Sequence, residues 1–226
     1  MVYQRLGYLV SLGQALLLAS SGTKLLTFQD ISLDTVNRTV YTFSACAIGA
    51  EDGSRRVIVF VAGRAGGGTI TGATIGGVTA DIVVQVTNNA GGGNIAVSGI
   101  IIAAVPTGTT ADVVVTFSTG QATGGIGWWT ARGMSSNTPI DSGTSVADPS
   151  TDTLATTYSG FCIAGMSDNV GSASATWTNV DEKFDTLMEA TSGLMTGGSI
   201  RTTGSNISPT CTPSSSVDPA GVFATF

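Results

Sequence analysis

The densest run of side chains able to handle protons is Asp181, Glu182, Asp185 and Glu189. Two carboxylates flanking a sugar bond are enough for glycoside hydrolysis, one as acid and the other as base or nucleophile. Closeness in sequence does not place carboxylates across a cleft, and acids in such a run more commonly line a solvated face. A serine or cysteine nucleophile needs a base beside it. The chain has no histidine, so that base would have to be Lys24, Lys183 or a carboxylate, and no G-x-S-x-G elbow occurs. Asp148, Asp152, Asp168 and Asn169 carry the oxygen ligands that calcium takes, without the spacing of a calcium loop. The glycine-rich stretch Gly63–Gly68 matches no phosphate-binding pattern and joins one strand-like run to another, so a hairpin turn accounts for it better than a nucleotide does. These observations predict a non-enzymatic protein without cofactor or metal.

Trp128 and Trp129 bear on partners rather than catalysis. Adjacent side chains on a strand point to opposite faces, so only one of the pair can enter a given core. The other packs under a loop, forms a subunit contact, or offers a flat ring to a sugar. Trp177 sits in an alternating run and reads as core. Cys46, Cys162 and Cys211 are odd in number and have no CxxC spacing, which fits buried free thiols, with a Cys46–Cys162 bridge left open. Nine basic residues against fifteen acidic ones give a charge of −6, which repels a phosphate backbone and argues against nucleic acid.

The elements that must position these residues are strands. From Leu25 onward, short β-type runs alternate with Gly, Ser, Thr, Asn and Pro clusters, the pattern of a sandwich or barrel. In 81–87, Ile82, Val84 and Val86 share one face; in 112–118, Val113, Val115 and Phe117 do so. The runs 57–62 and 100–105 are apolar on both faces, as in central strands covered twice. Residues 135–157 read as a long surface excursion, 180–188 fits a helix or a strand, and the closing VFATF reads as a last strand. The predicted fold is all-β, an antiparallel β-sandwich, jelly-roll-like or Ig-like, forming a single domain over 25–226.

Residues 1–24 stand apart. GYLVSLGQALLLA at 7–19 has the outline of a short secretory signal, but Ser11, Gly13 and Gln14 interrupt its apolar run. It is too short to span a bilayer, which takes about 20 apolar residues. The segment reads as an apolar anchoring arm, with Leu6, Leu9, Val10, Leu16 and Leu17 as contact residues toward the chain's own sheet or a neighbouring subunit, together with Trp128 and Trp129.

The succession YTFSACAIG, RRVIVFVAGRAGG, TITGATIGGVTADIVVQV, AVPTGTTADVVVTFS and GIGWWTARGMSSNTPIDSGTS, spanning about residues 39 to 145, resembles β-sandwich structural proteins of tailed bacteriophage virions. The likeness lies in the style of turns and strands and carries no active-site motif. It implies a virion component, either a capsid decoration (cement) subunit or a tail or head appendage. Its partners would be copies of itself and other capsid or tail proteins. The alternative is a carbohydrate-binding, host-adhesion module that stacks a surface glycan on an exposed tryptophan.

Overall fold

Residues that alternate in polarity along extended runs build antiparallel sheets, and the computed structural model consists of strands and connecting turns. It describes residues 24–226 apart from 90–92, 94, 170–172, 191 and 217. Seventeen strands form four sheets among the described residues. Sheet one orders β1 (Leu25–Asp34), β9 (Thr123–Arg132), β3 (Arg56–Arg64), β7 (Ala96–Ala104) and β6 (Asp81–Asn88). Sheet two orders β2 (Arg38–Ala47), β8 (Thr110–Gln121), β4 (Ile70–Ile75) and β5 (Val78–Thr79). Sheet three orders β10 (Asp141–Ser145), β17 (Ala220–Thr225), β12 (Tyr158–Asp168), β15 (Leu194–Thr203) and β14 (Asp181–Leu187). Sheet four orders β11 (Ser150–Thr151), β16 (Thr210–Pro213) and β13 (Ala175–Thr178).

The fold is an antiparallel β-sandwich, extended by stacking: sheet two covers sheet one, sheet one packs on sheet three, and sheet three is covered by sheet four. Three apolar cores follow from this order. Period-two geometry explains how the middle sheets serve two cores each. On β3, Val57, Val59 and Val61 face sheet two while Ile58, Phe60 and Ala62 face sheet three. On β12, Phe161 and Ile163 face sheet one while Cys162, Ala164 and Met166 face sheet four. The doubly apolar runs are therefore central strands, as their composition predicts.

Between sheets one and three, aromatic rings lie on bare backbone. Phe28, Trp129, Phe60 and Phe184 form a cluster with centroid separations of 5.3 to 6.1 Å. A Cβ on Gly165 would come within 2.2 Å of the Phe60 ring, and one on Gly127 within 2.5 Å of Phe184. Glycine at these positions lets each ring approach the opposite sheet closely. The β4–β5 hairpin uses glycine differently: Gly76 and Gly77 have φ of 60° and 78°, the paired positive values a two-residue turn requires.

Several elements depart from the sequence-based expectation. The β6 ladder shifts register between Ile82 and Val84, and a bulge of this kind changes which face a residue presents. Ile82 consequently packs toward sheet two while Val83, Val84 and Val86 pack toward sheet three, so Ile82 does not share a face with Val84 and Val86. The stretch 135–157 contains β10 at the edge of sheet three and β11 in sheet four, with Leu154 bridged to Ile207 and buried. The helical alternative at 180–188 is replaced by strand β14, whose bulge between Glu182 and Phe184 mimics helical spacing by skipping one residue. The VFATF tail falls largely in strand β17, buried on both faces between β10 and β12 in sheet three.

Candidate functional site

Both tryptophans of the adjacent pair are buried, one on each side of β9. Trp128 is 4% exposed and packs toward sheet two, where its indole N–H donates to the Ala47 carbonyl at 2.8 Å. Trp129 is fully buried toward sheet three and donates to the Ser199 hydroxyl at 3.1 Å. The expectation that strand neighbours diverge holds, but each finds a core, because sheet one has two. Neither ring is left for a sugar or a subunit contact, which corrects the assignment of Trp128 and Trp129 as interface residues. Trp177 is core, with its N–H on the Thr196 hydroxyl at 2.8 Å. Leu6, Leu9, Val10, Leu16 and Leu17 lie outside the described residues.

The acidic run 181–189, on β14 and the turn after it, does not converge on one site. Asp181 is exposed and lies 3.9 Å from the Lys183 ammonium. Burial, and then the neighbouring Asp185, raise the Glu182 pKa, and burial raises that of Asp185. One Asp185 oxygen accepts the Ala175 N–H at 2.9 Å and the other is buried without a hydrogen bond. Glu189 points to sheet one instead, where the Thr123 hydroxyl and Arg64 stabilise its charge and lower its pKa. Asp181 and Glu189 thus go to separate surroundings, and of the four only Glu182 and Asp185 stay near enough for the charge of one to act on the other.

The calcium candidates are likewise dispersed in role: Asp152 accepts the Thr153 N–H, Asp168 accepts that of Asp218, and the Asn169 carbonyl accepts from Arg64. No group of three acids, histidines or cysteines able to hold a metal occurs among the described residues. The three cysteines are buried free thiols. Cys46 belongs to the core under sheet two, and Cys162 and Cys211 to the core under sheet four, so no Cys46–Cys162 bridge forms. Burial pushes the Cys46 thiol up to about 11, that of Cys162 up to about 12, and that of Cys211 higher still, which suppresses thiolate chemistry in the folded state. Ser21 and Lys24 stand at a Ser-x-x-Lys spacing, and Ser21 lies outside the described residues.

Two features were not singled out in the sequence. Arg55 is fully buried and donates to six backbone carbonyls, those of Val105, Ile48, Gly49, Ala50, Thr107 and Gly108, at 2.7 to 3.2 Å. The guanidinium fork thus ties the 48–50 loop to the 105–108 loop at one end of the first sandwich. Its only sequence signal is a charge at the mouth of an apolar strand. The second feature is a cleft of about 400 Å³ between the edge strands β1 and β14, lined by Leu26, Phe28, Asp181, Lys183, Ile200 and Arg201. At its wall Arg201 donates to the Lys24 carbonyl. No described helix is long and apolar enough to cross a membrane.

No protein family, curated protein or solved structure matches the chain.

Proposed function

We propose that this chain is a non-enzymatic structural subunit of a tailed-bacteriophage particle, a capsid decoration or a tail or head appendage that works through contacts between subunits. The strand-and-turn resemblance over residues 39 to 145 supports the class of protein. The observation that carries the mechanism is the cleft between β1 and β14. Two edge strands border a partly apolar groove, and in sequence the first of them follows a leucine-rich segment. Edge strands and apolar surface are what a protein uses to add a neighbour. Burial there contributes about 25 cal/mol per Å² of apolar surface.

Quantitative mass spectrometry of purified particles tests the reading. A copy number matching the capsid lattice identifies a decoration subunit, a low one an appendage, and absence from the particle overturns the proposal. Deleting residues 2–20 is expected to abolish incorporation while circular dichroism still reports a folded β body. Unchanged occupancy would refute the role of the arm.

A further inference from the structure

Among the described residues Tyr158 is the only aromatic side chain in the exposed class, at 83%. Three backbone irregularities hold it there. The β12–β15 ladder shifts register between Tyr158 and Phe161, and bulges of this kind re-aim side chains. Ser159, within the bulge, has φ of 61°, a left-handed conformation that non-glycine residues adopt at a cost. Across the ladder Gly204 has φ of 89°, and a Cβ there would lie 2.7 Å from two atoms of the Tyr158 ring. The ring therefore rests on bare backbone, while most of its surface remains open to solvent. Strain of this kind, spent on a side chain that adds little to any core, points to a use outside folding.

The surroundings define the ligand. Thr203 and Ser205, on either side of Gly204, form part of the wall of a cleft of about 240 Å³, which Asn179, Arg201, Asn206 and Ile207 help to complete. The rim sets hydroxyls and amides beside the apolar Ile200 and Ile207, and the platform is a flat ring. A pyranose presents the same pairing: an apolar face of C–H groups and a girdle of hydroxyls. A protein partner would require about 800 Å² of buried surface on this side, far more than one ring supplies.

We propose that Tyr158 and the adjacent cleft form a carbohydrate subsite in which a pyranose ring stacks on the open face of Tyr158 and hydrogen-bonds to the rim of Asn206, Thr203 and Ser205. This transfers the glycan-binding alternative from Trp128 and Trp129 to a residue the fold exposes. It is independent of the virion proposal, since any cell-surface adhesion protein has the same use for it.

The test is binding of the full-length chain to an array of bacterial capsular and O-antigen polysaccharides, followed by titration of the strongest hit. Tyr158→Ala is expected to weaken that affinity by about tenfold or more, while Tyr158→Trp retains it. Asn206→Ala should cause a smaller loss. Because Tyr158 is exposed, its alanine variant should melt at the same temperature as the parent, which separates lost binding from lost folding. No binding across the array, or equal binding by Tyr158→Ala, overturns the subsite. Particle incorporation of Tyr158→Ala is expected to be unchanged, so failure here and failure of the virion proposal give different results.

Discussion

Sheets two and four are both outer covers, yet they are fastened by different means. Sheet two uses strands of up to 12 residues, a core containing Tyr41, Phe43 and Phe117, and the Arg55 fork at its end. Sheet four uses strands of two to four residues over a small core that includes two thiols, Trp177 and Phe223. Hydroxyl bonds at the surface, between Thr151 and Thr210 and between Thr153 and Ser208, hold its own short strands together, and its polar links to sheet three include the Ala175 N–H on Asp185 and the Trp177 N–H on Thr196. A neutral hydrogen bond contributes about 0.5–1.5 kcal/mol net, and water competes for exposed ones. Apolar burial has no such competitor. The C-terminal cover is therefore the part expected to open first, with sheets one and three as the common, most stable layer.

The largest effect is expected where that common layer is attacked. Gly165→Val drives a side chain into the Phe60 ring between the central sheets, and should destabilise both sandwiches together by about 4 kcal/mol or more. Guanidinium unfolding followed by tryptophan fluorescence would measure it; a mild shift would mean that the two halves are held independently. Arg55→Met comes next. It removes the donors from six carbonyls and should cost about 3 kcal/mol, with faster amide exchange in 48–50 and 105–108.

The thiols report on the two covers without mutation. At sub-denaturing urea, a thiol reagent should label Cys211 and Cys162 about tenfold faster than Cys46, since local opening exposes them at a lower free energy. The opposite order would break the comparison. The smallest expected effect is at the join of sheets three and four. An acid whose folded pKa is raised above its unfolded value weakens the fold as pH climbs from the unfolded value through the folded one, because the native state resists giving up its proton. Asp185 is such a group. Asp185→Asn should raise stability at neutral pH by less than about 1 kcal/mol after solvent screening, with the difference vanishing in acid. Thermal melts of both proteins across pH would reveal it.

Strand character was legible wherever polarity alternated or a run was apolar on both faces. Val113, Val115 and Phe117 face one core as predicted, and the doubly apolar 57–62 run is central. The bulges at Ile82/Val84 and Glu182/Phe184 were not legible, because a skipped residue leaves the same letters and inverts the faces. Tyr158 escaped notice for a related reason: its exposure depends on a register shift and on a glycine 46 positions away, just past the end of the partner strand. Arg55 reads as one more surface charge until two loops fold around it.

The polypeptide's own order of residues determined an all-β chain, its reversals and its buried thiols, since alternation and glycine placement act within a few neighbours. Only tertiary structure decided how many faces each sheet would bury. Stacking four sheets gave sheet one two cores instead of one, and so enclosed Trp128 and Trp129 on opposite sides. A strand's pattern states that a face is apolar, but what lies against it is set by segments far away along the chain.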